Sequence, residues 1–238
     1  MSASFDWVAL LEYSTIGLLS GGLLALVALG FVLIYKGTGV INFAMGEFMM
    51  LGAYFFYTAN VLWGLPTLLA LPATLAAVAA VAALIERTIL RPLSGQPVIS
   101  VLMATIGLAS ALHGGVDAVW GGNNYEMPEL LPRKPFIFGE LLIPGQVVWS
   151  FVLAAVVIAA FTLYFRRSRT GVAMRAAASD PLTAYVLGID VRSTQRLTWM
   201  FAGVVGAIAG IVVAGMTSLS PALGGAALGV LAVIILGG

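Results

Sequence analysis

The chain alternates between long apolar runs and short polar breaks. A helix that crosses a bilayer needs about 20 predominantly apolar residues. Seven runs reach or approach that length: roughly Ser14–Tyr35, Val40–Leu62, Pro66–Ile85, Pro97–Trp120, Val147–Phe165, Leu197–Leu219 and Ala222–Gly238. The last is short for a span and stops on Leu236-Gly237-Gly238 with no polar flank. The expected fold is all-α, a polytopic transmembrane helix bundle of about seven spans forming one domain over residues 1–238. Between the fourth and fifth runs, Gly121 to Gln146 carries Pro128, Pro132, Pro135 and Pro144. Proline restricts the backbone and donates no hydrogen bond, so this is a stiff connector and not a helix. Inside it, Phe136-Ile137-Phe138 and Leu141-Leu142-Ile143 flank Gly139-Glu140, the pattern of a small hairpin at the membrane face.

Composition agrees with the runs. The 238 residues are 61% hydrophobic and 9% charged, where a soluble domain carries about a quarter charged residues. The net charge of +1 gives no reason to expect nucleic acid as a partner. No cysteine is present, which excludes disulfides and thiolate chemistry, and His113 is the single histidine. The first apolar run follows Asp6 and Glu12 instead of a basic segment and is long enough to span, so it reads as a retained helix and not a cleaved signal.

Charge then orients the bundle. Lys36 lies between runs one and two, and Arg87 and Arg91 between runs three and four. Six of the eleven basic residues fall in the loop 166–196 between runs five and six. The connector holds Arg133 and Lys134 but also Glu126, Glu129 and Glu140, and no Lys or Arg precedes the first run. The excess of Lys and Arg in cytoplasmic loops places the N-terminus outside and the three basic loops in the cytoplasm. The chain is expected to cross its membrane many times. Gly17 and Gly21, Gly206 and Gly210, and Gly225 and Gly229 are each spaced four apart, a spacing that lets helices approach within the chain.

The loop 166–196 contains a short helix by its local signals. Asp180 suits an N-cap and Pro181 the first helical position, and Gly188 is a natural stop. Leu182, Tyr185, Val186 and Ile189 follow the i, i+3, i+4, i+7 spacing of one apolar stripe. A helix of two turns is unstable alone, so it needs a surface. Two surfaces suit it equally: the groove of a partner protein, or lipid headgroups beside the flanking arginines.

Polar residues inside the runs are the other candidates. Glu47 lies about 10 Å into the second run, where an ionised carboxylate facing lipid costs about 2.5–3.5 kcal/mol. Glu47 and Asn42 therefore line a pathway or gate, or tie neighbouring backbone near a broken helix, with Gly46 and Gly52 permitting close contact. The structural role is favoured, because a lone carboxylate without an intramembrane base makes no relay. Thr105 and Ser110 can bond back to helical carbonyls, lining a path or simply packing. His113 reads as a neutral, hydrogen-bonded residue with Asp117, four residues on, as partner. No G-x-x-x-x-G-K-[ST] loop, nucleophile elbow or H-E-x-x-H occurs, so nucleotide hydrolysis by a phosphate loop is excluded.

Three blocks resemble one family. The first is Gly30-Phe31-Val32-Leu33-Ile34-Tyr35, then Gly39 through Glu47 and Met50-Leu51-Gly52-Ala53-Tyr54. The second is Thr105-Ile106-Gly107-Leu108. The third runs from Gly171 through Arg175-Ala176, Asp180-Pro181, Ala184 and Leu187-Gly188-Ile189-Asp190 to Ala209-Gly210. In this order they resemble the permease subunits of branched-chain amino-acid ABC importers. The resemblance implies a non-catalytic subunit that imports branched-chain or other hydrophobic amino acids by alternating access. It also implies cytoplasmic ATPase subunits that bind ATP and Mg, no cofactor on this chain, a second homologous permease subunit and an extracytoplasmic substrate-binding protein. In that picture Asp180, Pro181, Leu182, Tyr185, Val186, Gly188 and Ile189 form a coupling helix that plugs into the ATPase, within the coupling loop 166–196. Related permeases carry urea or short amides, which is the alternative substrate class. Two departures stand out: the family usually has histidine where this chain has Met45, and it continues past Gly238 with another glycine-rich stretch and a last helix. The rival readings are a passive channel, which needs no ATPase, and an integral-membrane enzyme, which needs Glu47 and His113 to converge.

Overall fold

The computed structural model describes residues 7–93, 95–139 and 141–237. In chain order it has α1 (Trp7–Thr38), α2 (Met45–Tyr57), α3 (Thr67–Ile85), α4 (Val98–Trp120), β1 (Phe136–Phe138), β2 (Leu141–Ile143), α5 (Gly145–Arg167), α6 (Arg169–Ser179), α7 (Pro181–Val186), α8 (Val191–Met216), α9 (Ala222–Ala226) and α10 (Val230–Gly237). Five helices are long and apolar enough to cross a membrane: α1, α3 with its continuation to Leu93, α4, α5 and α8. The chain is an all-α polytopic protein with one small hairpin.

The second and seventh apolar runs take another form. The chain from Gly39 to Ala44 is not helical, and α2 begins only at Met45, then passes into a π-helical turn, Thr58–Leu62. The last run is broken into α9, a 3₁₀ turn at Ala227–Gly229, and α10. Gly238, where that run was expected to end, lies outside the described residues, as do Asp6 and Glu140. The sixth run starts earlier than expected, because Asp190 caps α8 by accepting from Ser193 N at 3.1 Å. The hairpin forms as expected, pairing Phe136 with Ile143 and Ile137 with Leu142, and Gly139 adopts φ +65° at its turn.

Helix α8 is the central post. Two-thirds of its apolar stretch is buried (67%), against 11% for α4. It packs on α1, α2 and α3. Its glycines make this possible: a Cβ at Gly210 would sit 1.9 Å from the Met49 carbonyl oxygen, and one at Gly206 2.6 Å from the Met45 methyl. Backbone therefore meets backbone where α2 crosses α8. Gly52 serves the same crossing, since its Cβ would fall 2.3 Å from the Ala207 Cα. The pairs Gly17/Gly21 and Gly225/Gly229 correct the expectation of packing within the chain. All four face open space among the described residues, because they lie on the sides of their helices turned away from the bundle.

The two ends of the bundle differ in chemistry. Lys36, Arg166 and Arg175 line one cavity at one end, and Glu86, Arg91 and Arg196 meet near it. At the other end Trp120 Nε1 donates to Thr58 Oγ1 at 2.9 Å. There Tyr54 packs against Trp120 and Tyr57 against Tyr125 as tilted ring pairs, at centroid separations of 5.3 and 5.1 Å. Tyr125 and Leu219 exchange backbone bonds of 2.8 and 3.0 Å, which fastens the proline-rich connector to the turn after α8.

Candidate functional site

The first candidate is the junction where α2 starts inside the protein. Gly39 turns the chain at φ +72°, and the non-helical segment that follows leads back into the bundle. Asn42 Oδ1 accepts from Ala44 N at 2.9 Å, while its buried Nδ2 has no acceptor. Thr105 Oγ1 accepts from Phe43 N at 3.4 Å and donates to Leu102 O at 2.9 Å, joining α4 to the segment. Thr105 thus spends its hydroxyl on the break in α2, and Asn42 caps the turn into it.

Five residues after Asn42, Glu47 lies in the first turn of α2, 7% exposed. The start of α2 meets α9 so closely that a Cβ at Gly46 would stand 1.9 Å from the Gly224 carbonyl oxygen. A Cβ at Gly224 would stand 2.5 Å from Glu47 Oε1. Glu47 Oε2 lies 3.5 Å from His113 Nδ1, an ion-pair distance that leaves this buried oxygen without a hydrogen-bond donor. His113 Nε2 is 3.8 Å from Asp117 Oδ2. Carboxylate, imidazole and carboxylate form one row. Residues 47 and 113 are far apart in sequence, so only the i, i+4 contact with Asp117 was legible beforehand. The expectation of a carboxylate with no base beside it is corrected. Met45 is fully buried with its methyl group against Gly30 and Gly206.

The row opens onto the outer face of α4. Gly107, Ser110, Gly114 and Asp117 share that face and are exposed. An acidic side chain facing hydrocarbon is costly and almost always faces protein or water instead.

The second candidate is the basic loop. It holds two helices where the sequence pattern gave one. Ser168 caps α6, accepting from Gly171 N at 2.9 Å, and Gly171, Met174 and Ala177 turn inward. Asp180 caps α7 by accepting from Leu182 N and Thr183 N at 3.0 and 3.1 Å. The Thr183 hydroxyl and N–H, with the Leu182 N–H, hold the Asp180 carboxyl below its ordinary value. The helix ends in a Schellman motif: Gly188, at φ +83°, donates to Tyr185 O and Ile189 donates to Ala184 O, both at 3.0 Å. The motif takes Ile189 out of the expected stripe. Ile189 is half-buried and lies past the helix, because the left-handed turn at Gly188 folds it back over Ala184. Leu182, Tyr185, Val186 and Leu187 stay 72–78% exposed. Leu187 is the member of this apolar knob that the spacing rule missed.

Sequence reasoning also missed Glu86. It is 2% exposed, takes two hydrogen bonds from Arg91 at 3.2 and 3.0 Å, and has Arg196 Nε at 3.8 Å. The turn Glu86–Leu90 is π-helical, which brings side chains five apart onto one face. The ordinary i, i+4 rule does not find such a pair.

A sequence profile of the family described as "Branched-chain amino acid transport system / permease component" matches residues 14–238. The chain belongs to this family. Among relatives, BraD, a high-affinity branched-chain amino acid transport system permease protein of Pseudomonas aeruginosa, is 32% identical over 209 residues, covering 82% of this chain and 68% of the relative. LivH of Salmonella typhimurium is 30% identical over 210 residues, covering 82% and 68%. A probable LivH of Methanocaldococcus jannaschii is 30% identical over 212 residues, covering 85% and 65%. No solved structure matches. Membership in the permease family makes the chain a non-catalytic transporter subunit. With its five spanning helices it is a multi-pass protein of the inner membrane.

Proposed function

We propose that this permease component forms half of the membrane core of an ATP-driven importer of branched-chain or other hydrophobic amino acids. The observation that carries the reading is α7. Its apolar side chains stand in solvent, held by a capped, six-residue helix that is too short to persist without a surface. A free apolar knob at the end of a membrane domain is the shape a groove in a cytoplasmic ATPase receives. Asp180, Pro181 and Gly188 set the helix limits, Leu182, Tyr185, Val186 and Leu187 enter the groove, and Ile189 fastens the knob to its base. ATP and Mg sit on the ATPase.

The basic end is then cytoplasmic and the N-terminus extracytoplasmic, which the gathering of Lys36, Arg166, Arg175 and the Glu86 cluster at one end supports. The short helices α2 and α9 are each one side of a broken crossing, giving seven passes in all. A second homologous permease subunit covers the polar face of α4. Between the two subunits the Glu47–His113–Asp117 row borders the solute path, and an extracytoplasmic binding protein docks on the aromatic end. Alternating access follows when ATPase closure moves α7. Movement of α7 reaches the bundle through α8, and α8 touches α1, α2 and α3 at once. The test is uptake by the complex reconstituted with ATPase and binding protein. ATP-dependent accumulation of leucine, isoleucine or valine is expected. Uptake of urea or short amides alone would replace the substrate class, and uptake without ATP would replace the mechanism with a channel.

A further inference from the structure

At the basic end a cavity of about 280 Å³ lies between α1, α5 and α6. Leu33, Phe161 and Met174 are among its apolar walls, and its exposed lining includes Lys36, Arg166 and Arg175. Among the described residues none of these three cations is paired with a carboxylate. Arg175 gives one guanidinium N–H to the Phe165 carbonyl, which fixes the group in place and leaves the rest of its fork unused. A concentration of positive charge over an apolar floor suits an anion with an apolar body.

A second, open groove of about 590 Å³ continues from the first. The two share Thr162 and Arg166. The second groove runs up the seam between α1 and α5 over Gly22, Ala25, Ala155 and Ala159, whose small side chains leave the room. Phe151 packs against Gly22 and closes the far end, where a Cβ on the glycine would lie 2.4 Å from the ring. From Arg166 to Ala155 the distance along α5 is about 16 Å at 1.5 Å per residue. That is close to half of a hydrocarbon core of about 30 Å, the depth of one leaflet.

We propose that this continuous channel is a binding site for an anionic phospholipid of the leaflet at the basic end. The headgroup phosphate sits among Lys36, Arg166 and Arg175, and one acyl chain lies in the α1–α5 seam. Charge complementarity selects the headgroup and the leaflet-long apolar groove selects a lipid over a soluble phosphate. The α5–α6 corner carries two of the three cations and leads directly into α7, so the lipid holds the base of the basic loop against α1.

Native mass spectrometry of the intact detergent-solubilised chain tests the site, with phosphatidylglycerol and phosphatidylcholine of equal chain length as probes. Wild type is expected to retain one phosphatidylglycerol in preference to phosphatidylcholine. Lys36→Gln with Arg166→Gln is expected to lower that retention about twenty-five-fold, at roughly fivefold for each cation near an anionic headgroup. Ala159→Phe fills the seam without touching charge and is expected to lower retention too. Equal retention of the two lipids by wild type would overturn the proposal. So would displacement of the lipid by glycerol phosphate at equal concentration, which marks a soluble-anion site. Both of these readouts use wild type and do not depend on whether a variant folds.

Discussion

His113 Nδ1 stands 3.5 Å from Glu47 Oε2, and this contact joins the middle of α4 to the first turn of α2. Glu47 is buried between that imidazole and the backbone of Gly224, so it ties three elements together at the place where α2 begins. Removing one partner of a buried polar contact leaves the neighbouring groups unsatisfied. Glu47→Ala is expected to lower the thermal stability of the purified chain by about 1–3 kcal/mol. A double-mutant cycle with His113→Ala is expected to show a coupling of about 0.5–3 kcal/mol. Additive effects would mean that the two side chains do not interact.

The α2–α9 crossing depends on the absence of a side chain at Gly46. A Cβ there would stand 1.9 Å from a backbone oxygen, whereas Gly225, a residue away from the contact, has open space. Gly46→Ala is expected to destabilise the fold by about 1–3 kcal/mol, read as lost yield of monodisperse protein and a lower Tm. Gly225→Ala should leave both unchanged. Equal behaviour of the two variants would place the crossing elsewhere.

The Glu86 cluster holds α8 to the end of α3. Glu86→Ala strips the partner from Arg91 and loosens Arg196. A loss of roughly 3 kcal/mol is expected, with part of it recovered in the Glu86→Ala, Arg91→Ala double variant, because the unpaired cation is then gone. Chemical denaturation in detergent measures both. No difference between single and double variants would show that Arg91 is not the partner that matters.

Asp180 makes α7 sensitive to acid. Its carboxyl is depressed in the folded chain by bonds from Thr183 and Leu182. The stabilisation of α7 is therefore complete above the ordinary carboxylate value and is lost as pH falls through the depressed one. Hydrogen exchange at the Leu182 and Thr183 amides is expected to quicken selectively across that acid window, after correction for intrinsic rates. Asp180→Asn, which keeps a capping oxygen and loses the charge, should remove the pH dependence. Protection that stays flat with pH in the wild type would show that the carboxylate does not hold the cap.

The five long helices were legible because each is an apolar run of sufficient length. The limits of α7 were legible because Asp180, Pro181 and Gly188 are local signals that act through neighbouring backbone. The start of α2 was not. Its N-terminal residue follows Ala44, which caps nothing with its side chain, and the residues before it are as apolar as those after. Contacts with α8 and α9 through Gly46, Gly52 and Gly210 decide where the helix begins, and such contacts leave no mark in a hydropathy pattern. The same holds for the breaks between α9 and α10. Glu47 and His113 come together only through packing, and Glu86 reaches Arg91 only through a π-helical turn. The sequence pattern thus located the polar residues, and the fold supplied their partners.

The central claim is that α7 presents an apolar surface that an ATPase grips. The direct measurement is recovery of the ATPase subunit with tagged permease carrying Tyr185→Asp, beside wild type and with the melting curve of the membrane domain recorded for each. Tyr185 is exposed in the isolated chain, so the charge should leave the melting curve unchanged, yet it would have to be desolvated in a groove. The account predicts that the ATPase is lost, or that ATP-driven uptake falls at least tenfold, with the fold intact. Full recovery of the ATPase together with wild-type uptake would contradict it.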